Sequence, residues 1–299
     1  MQRPSWFLAV VLVAAAGIGG LAAGTLSDKP REALDRSSYV IRETLGLEKN
    51  WVRVPGPEQA EGLEAVACPA PSHAVVLVTG GQSNAANSNT SMSQIRADAP
   101  VFTWFEGRCY PGGDPMLGAS GQRGSLWPEL GQRLADELGR PVLFINGAIG
   151  GTQVGDWLDD RSGYYAALAG RVASARQAGF EPDLILWHQG ETDALAEHDM
   201  SMLERRFSQL ADRLLADMPQ SQLYLFQASK CIGSKRAKGV EIVREVQANT
   251  VRGRDRAILG MNTDELGDEF RWDTCHFNSL GRAAIVNHLA PELTALLSR

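Results

Sequence analysis

Short apolar segments alternate with segments of helical spacing from residue 74 to the end of the chain, and this alternation constrains the fold more than any other feature. The first apolar segment, AVVLVT at 74–79, is a continuous run bounded by two glycines, which is typical of a strand buried on both faces. Strands separated by helices predict a mostly parallel sheet with helices on both faces, an α/β architecture. The further predicted strands are 101–105, 142–146, 184–187, 223–227 and 258–261, and the predicted helices are 126–138, 164–178, 199–218, 240–251 and 279–297.

The composition indicates a folded chain and excludes two classes of protein. With 44% hydrophobic residues in 299, the chain is too apolar to be disordered and long enough to bury one or two sizeable cores. Its 29 Lys and Arg residues against 35 Asp and Glu residues give no positive surface for nucleic acid. We therefore expect no nucleic-acid partner, and the sequence indicates no oligomeric state.

The first residues are typical of an export signal. Arg3 precedes a long apolar run, and no charged residue occurs from Pro4 to Ser27. The run is close to the length that spans a bilayer, so the sequence leaves open whether segment 4–26 is cleaved or stays as a membrane anchor. We expect a periplasmic or extracellular protein. Its expected parts are a signal or anchor over 1–26, a partly helical connector over 27–72 and one domain over 73–299.

Four cysteines in an oxidising compartment predict disulfides. The four are Cys68, Cys109, Cys231 and Cys275, which allow three pairings. No two of these cysteines have the C-x-x-C spacing of a zinc ribbon or a thioredoxin motif. Four free, buried thiols are the alternative.

The chemistry of a parallel sheet is expected at the carboxyl ends of its strands. The first predicted strand ends in GGQSN, where Ser83 would lie on a tight strand-to-helix turn with its hydroxyl exposed as a nucleophile. The alternative role of Ser83 is to cap the following helix. The block is not G-x-S-x-G, so it does not match the nucleophile elbow of α/β-hydrolases.

Two further strands end in polar or glycine-rich blocks. NGAIGGT contains Gly150 and Gly151, which either let the backbone approach a ligand or form an ordinary turn; it lacks the G-K-[ST] of a phosphate loop. WHQGETD contains Gln189, whose side-chain amide could donate to a developing oxyanion. His188 and Glu191 in this block have neither the H-E-x-x-H spacing nor a third ligand nearby, so we expect a packed histidine and no metal.

The last block, DTCHFN, precedes the final predicted helix. Asp273 lies three residues before His276, a spacing at which the carboxylate can orient the imidazole and leave its other nitrogen as a base. A surface histidine is the alternative for this fragment taken alone.

Together, the four blocks resemble those of the SGNH hydrolase superfamily, in the branch that contains sialate O-acetylesterases and carbohydrate esterase family 6 acetylxylan esterases. The resemblance covers about residues 74–297 and implies a three-layer α/β/α sandwich with a flavodoxin-like sheet. The wider superfamily usually has Asn in the third block, whereas this branch, like this chain, has Gln. Ala85 and Ala86 depart from the bulky residue that often follows the GQSN turn.

The resemblance implies a serine esterase that removes acetyl groups from a glycan without a metal or an organic cofactor. Ser83 would be the nucleophile, His276 the base and then the acid, and Asp273 the group that orients His276. The oxyanion would be bound by the N–H of Ser83, the N–H of Gly150 or Gly151, and the side-chain amide of Gln189. The residues expected to support this site are Gln82, Asn84, Glu191 and Asp193.

The predicted catalytic edge also favours one disulfide pairing. Cys231 follows a predicted strand and Cys275 lies inside the Asp-x-x-His block, so a bond between them would hold the base in place. The favoured pairs are therefore Cys231–Cys275 and Cys68–Cys109.

Two other functions use the same residues differently. An SGNH acyltransferase would move acetyl onto a polysaccharide through the same triad, and a glycan-binding module would keep the fold without catalysis. Retention of Ser83, Gln189, Asp273 and His276 argues against a simple binder, because binding needs no nucleophile and base.

The sequence does not specify the glycan, which could be a sialic acid, xylan, a cell-envelope polysaccharide or peptidoglycan. The glycine-rich loop over 106–125 is expected to shape the pocket. Its candidate side chains are Arg108, Asp114 and Arg123, and Trp104, Trp157 and Trp187 either stack on a sugar or pack in the core.

Overall fold

A computed structural model describes residues 51–196, 198–231 and 237–298, and its centre is a seven-stranded sheet. The strands are β1 (Val75–Gly81), β2 (Val101–Phe105), β3 (Arg108–Pro111), β4 (Val142–Asn146), β5 (Leu184–His188), β6 (Gln222–Gln227) and β7 (Ala257–Asn262). They lie in the order β3-β2-β4-β1-β5-β6-β7. All neighbours are parallel except β2 and β3. The predicted α/β class is confirmed.

The run β4-β1-β5-β6-β7 has the flavodoxin-like order, in which the first strand lies between the next two of the set. The pair β2 and β3 extends the sheet beyond β4. β3 lies inside the loop predicted over 106–125. It follows β2 through Glu106 and Gly107, whose φ angles of 49° and 76° are those of a tight hairpin turn. The Glu-Gly pair is a weak hairpin signal, so the sequence did not indicate β3.

Helices cover both faces of the sheet. They are α1 (Trp127–Leu138), α2 (Tyr164–Gln177), α3 (Glu191–Leu195), α4 (Met200–Asp217), α5 (Ala237–Val251) and α6 (Ser279–Leu297). The short α3 was not predicted, because its five residues are too few to display a helical period.

Successive residues of the central strand β1 are buried on opposite faces of the sheet. One core cluster joins residues of α1 and α6 to Val75 and Leu77 of β1 and Phe144 of β4. The intervening residues Val76 and Val78 are buried as well. Because adjacent side chains of a strand point to opposite sides, burial of both sets requires a helical layer on each face. The fold is therefore the predicted three-layer sandwich.

Part of the segment predicted as a connector packs against the sheet. Residues from Val52 onward form one compact unit with the rest of the chain, so the boundary expected at residue 73 falls inside that unit. Hydrogen bonds attach this segment to the domain. The buried guanidinium of Arg171 donates to the carbonyl of Pro55, and Gln59 hydrogen-bonds the backbone of Gly118 and Ala119.

The predicted signal or anchor over 1–26 lies outside the described residues. Within the described ranges, none of the helices combines the length and the apolar character needed to cross a membrane.

Candidate active site

Ser83 lies where β1 ends, at the start of a short 3₁₀ turn, Ser83–Ala85. β1 and β5 approach closely here, because a Cβ at Gly80 would lie 2.2 Å from the Trp187 ring and one at Gly81 would lie 2.0 Å from the carbonyl oxygen of His188. Gly81 also has a φ of 110°, a backbone angle that residues with a side chain rarely adopt. The two glycines therefore allow the turn that brings Ser83 to the carboxyl edge of the sheet.

The Asp273–His276 loop is a tight hairpin closed by a bridge between Arg271 and Phe277. Asp273 Oδ1 accepts the backbone N–H groups of Cys275 (3.1 Å) and His276 (2.7 Å), and Asp273 Oδ2 lies 2.7 Å from His276 Nδ1. This leaves His276 Nε2 available as a base.

Partial burial acts to raise the pKa of Asp273. The hydrogen bonds from the His276 ring and backbone, and then the contact with the imidazole charge, outweigh it. The pKa of Asp273 is therefore lowered below its ordinary value, and the carboxylate is ionised beside His276 at neutral pH.

Asn84 connects the Ser83 turn to this loop. Its Nδ2 donates to Glu191 Oε1 at 2.8 Å and to the carbonyl oxygen of Cys275 at 3.3 Å, and all three residues are buried. The Ser83 hydroxyl itself makes no hydrogen bond within the described part of the chain, to His276 or to another group. Such contacts are often long in unliganded enzymes and tighten when substrate binds.

His188 and Glu191 lie beneath the turn, in the sheet. His188 Nε2 is 3.1 Å from Thr263 Oγ1, and Nδ1 is 3.4 Å from Glu191 Oε1. Burial, with the charge of Arg271, lowers the pKa of His188 to about 3, so the imidazole is neutral. Burial raises the pKa of Glu191, against the hydrogen bond from Asn84. Among the described residues no group of three or more His, Cys, Asp or Glu is placed to hold a metal ion.

The two candidate oxyanion glycines differ in their surroundings. A Cβ at Gly150 would lie 3.5 Å from the Cβ of Ser83, whereas a Cβ at Gly151 would meet nothing within 4 Å. The Gly150 N–H donates to Ser120 Oγ at 2.8 Å. Ser120 thus lies close to Ser83, and the sequence did not indicate this proximity. It lies in an irregular loop, and only the folded chain brings it to Gly150.

Gln189 is fully buried in a hydrogen-bond network. Its Nε2 lies 2.7 Å from the carbonyl oxygen of Thr152, 2.9 Å from Asp193 Oδ2 and 3.3 Å from Gln82 Oε1. An amide nitrogen has two hydrogens, so the protein engages both of them here. An oxyanion would replace one of these acceptors, and the longest contact, to Gln82, is the weakest.

Asp193 fixes the loop that follows the glycine pair. Its carboxylate accepts from the Val154 N–H at 3.0 and 3.2 Å and from Gln189. Burial raises the pKa of Asp193 to about 7, against the hydrogen bonds from Gln189 and Val154. Asp193 therefore orders the wall of the site and has no exposure through which to contact a substrate.

Two disulfides are present, Cys68–Cys109 and Cys231–Cys275, the same pairs that the sequence favours. The Cys231–Cys275 bond joins the His276 loop to the segment that follows β6. Two disulfides are typical of an exported protein.

Peptide mapping under non-reducing conditions should recover the two disulfides as specific cross-linked pairs. After trypsin, we expect the peptide 231–235 to be joined to 272–282, and the peptide 54–96 to be joined to 109–123. Mass spectrometry before and after reduction measures both pairs. Recovery of Cys275 as a free thiol, or joined to Cys68 or Cys109, would contradict the pairing.

The three tryptophans considered for sugar stacking are all buried: Trp104 is 4% exposed, Trp157 0% and Trp187 1%. Packing is therefore their role. Among the described residues of this edge, the exposed aromatic side chain is that of Trp272, immediately before Asp273. It was not a predicted candidate, although its position beside Asp273 was a signal.

Comparisons with known proteins agree with this fold. A sequence model of the family described as carbohydrate esterase, sialic acid-specific acetylesterase matches residues 129–295, more than half of the chain. That range includes Gly150, Gln189, Asp273 and His276 but begins after Ser83.

One curated relative and two solved structures are similar to this chain. A probable carbohydrate esterase of Arabidopsis thaliana is 30% identical over 100 residues, 33% of this chain and 37% of the relative, so the match spans little more than a third of that protein. The X-ray structure of the same Arabidopsis protein has a TM-score of 0.62 at 17% identity, covering 76% of this chain and 98% of that one. A family two carbohydrate esterase from Clostridium thermocellum, in complex with cellohexaose, has a TM-score of 0.51 at 13% identity, covering 78% and 67%. At these identities the structures show a shared fold.

Proposed function

The chain belongs to the carbohydrate esterase family described as sialic acid-specific acetylesterases, and on that premise we propose that it is a serine esterase that removes O-acetyl groups from a glycan. The observation that carries the proposal is the 2.7 Å contact between His276 Nδ1 and Asp273 Oδ2, in a loop that Asn84 connects to the Ser83 turn. A glycan-binding module would need neither an oriented base nor a nucleophile.

Catalysis begins with proton transfer from the Ser83 hydroxyl to His276 Nε2. Ser83 Oγ attacks the acetyl carbonyl carbon, and the resulting imidazolium is stabilised by Asp273. His276 then returns the proton to the sugar oxygen as the C–O bond of the ester breaks, which leaves acetyl on Ser83. Water, deprotonated by His276, attacks this acyl-enzyme, and acetate leaves as Ser83 regains its proton.

The oxyanion of both tetrahedral intermediates is assigned to three donors in this proposal. They are the backbone N–H of Ser83, the backbone N–H of Gly150 and the side-chain amide of Gln189. Gly150 is preferred to Gly151 because it lies against Ser83. When the oxyanion binds, it would replace Ser120 Oγ as the acceptor of the Gly150 N–H. It would likewise replace Gln82 Oε1 as an acceptor of the Gln189 amide.

A fluorophosphonate probe tests whether Ser83 is an activated nucleophile. The wild-type protein should be labelled at Ser83, and the adduct should be located by mass spectrometry on the peptide 54–96. Ser83→Ala should not be labelled. Labelling of another serine, or none in the wild-type protein while it hydrolyses acetyl esters, would overturn the assignment.

Replacing Gln189 with alanine should lower kcat by about 10²–10³-fold with little change in KM, because an oxyanion donor acts in the transition state. The comparison variant is Gln247→Ala, which removes another buried amide that donates to the carbonyl of Gln189 and not toward Ser83. Both variants should lower the unfolding temperature, and Gln247→Ala should change kcat less than tenfold. Equal kcat losses in the two would refute a donor role for Gln189.

Export to the periplasm or the outside of the cell is part of the same proposal. It is supported by the two disulfides and by the apolar segment over 4–26.

A further inference from the structure

We propose that Trp272 and Arg123 bind the sugar side of the substrate ester, so that these two residues determine which alcohol the enzyme releases. The inference rests on the esterase function proposed above. We refer to the two side chains as the Trp272 subsite.

Trp272 is exposed but held firmly. Its side chain is 41% exposed. Among the large hydrophobic residues that are exposed in the described part of the chain, Trp272 is the one with an aromatic ring. Its backbone N–H donates to the carbonyl of His276 at 2.9 Å, and its indole N–H donates to the carbonyl of Ser88 at 3.1 Å. The two bonds fix the ring between the nucleophile segment and the His276 loop. A fixed indole ring offers a ligand a rigid aromatic surface at little cost in conformational entropy.

The Trp272 ring is stacked beside the proposed catalytic base. The ring centroids of Trp272 and His276 are 6.0 Å apart, and their planes differ by 27°. His276 must come within about 2.6–3.2 Å of the sugar oxygen to which it returns the proton. The sugar that carries this oxygen must therefore lie next to His276, and Trp272 offers the adjacent apolar surface.

Arg123 adds unpaired hydrogen-bond donors to this surface. Its Cζ lies 4.6 Å from the centroid of the Trp272 ring. Its side chain is exposed, and among the described residues no carboxylate or carbonyl oxygen accepts from it. A guanidinium has five N–H donors, whose planar arrangement matches hydroxyl pairs and carboxylates. Arg123 can thus donate to the oxygens of a sugar whose ring contacts Trp272.

Together these features have the composition of a carbohydrate subsite: one fixed aromatic surface and a few convergent donors. The competing interpretation is that Trp272 only packs against His276 and orients it. The two interpretations differ in one respect. A subsite acts only on substrates that have a sugar to bind, whereas a positioning residue affects every acetyl ester equally.

The test compares kcat/KM for two acetyl esters, a mono-O-acetylated methyl glucoside and ethyl acetate, whose alcohol is too small to reach Trp272. Trp272→Ala should lower kcat/KM for the sugar ester about tenfold more than for ethyl acetate, mainly through KM. Trp272→Phe should recover most of the loss and also serves if the alanine variant folds poorly. Equal losses on both esters would overturn the proposal. Failure of the wild-type protein to hydrolyse either ester would instead refute the esterase function.

Arg123→Gln is tested on the same glucoside and on an O-acetylated methyl glucuronide. A larger loss on the glucuronide identifies a carboxylate as the acceptor, and equal losses on both sugars identify hydroxyl groups. Either result, with ethyl acetate hydrolysis unchanged, supports the subsite. No loss on either sugar would exclude Arg123 from it. Arg133→Gln is the matched control, because this exposed arginine pairs with Glu137 on α1 and should leave all three rates unchanged.

Discussion

Ser83→Ala is expected to lower kcat for acetyl ester hydrolysis by on the order of 10⁵-fold or more, because the variant has no atom that can form the acyl-enzyme. The fold should be unaffected, since the Ser83 hydroxyl makes no hydrogen bond within the described residues and alanine fits the same turn. Acetate release from an acetylated glycan measures the rate, and thermal unfolding checks the fold.

The matched control for this variant is Ser120→Ala. It removes a second hydroxyl from the same region, one that accepts from the Gly150 N–H. Because Ser120 has no base oriented toward it, the control should retain activity within about tenfold, the value of one neutral hydrogen bond. If Ser83→Ala hydrolysed the ester at the wild-type rate, or if Ser120→Ala lost as much activity, Ser83 would not be the nucleophile.

Asp273→Asn should lower kcat by about 10⁴-fold while the protein stays folded. The asparagine oxygen can still accept the backbone N–H groups of Cys275 and His276, so the loop is retained. The new amide cannot accept the Nδ1 proton of His276. The imidazole would therefore hold its proton on Nε2 and could not deprotonate Ser83.

The measurement for Asp273→Asn is kcat together with the unfolding temperature, and the control is Asp268→Asn. Asp268 is an exposed carboxylate of the same region, paired with Lys230 at 3.0 Å, and its loss should change kcat less than twofold. Activity of Asp273→Asn within tenfold of the wild-type value, in a folded protein, would show that His276 does not depend on Asp273.

The local features of this site could be predicted from the sequence, because neighbouring residues encode them. Asp273 and His276 are three positions apart, and the hydrogen bonds between them need only the turn that the intervening residues make. The glycines before Ser83 indicated a tight turn, although the reason for them, the close approach of Trp187 and His188, became visible only with the sheet assembled.

Features that depend on distant residues could not be predicted. Ser120 contacts Gly150 across 30 positions, from a loop without periodicity. The bonds from the Gln189 amide to Thr152 and Asp193 were not predicted, because a buried amide takes the acceptors that the folded chain places around it. Trp272 was not among the predicted stacking candidates, since its exposure depends on which side of the loop faces solvent.

The bonds of Gln59 to Gly118 and Ala119 set a lower limit on the size of a functional unit. All four sequence blocks lie after residue 73, so a fragment beginning there would contain every group assigned to the chemistry. It would lack the side chain that holds the loop just before Ser120, and one half of the Cys68–Cys109 bond. Such a fragment would retain Ser83 and His276, but the loop that contains Ser120 would lose its bonds to Gln59. We therefore expect the minimal stable esterase to begin before Gln59, upstream of all four motifs.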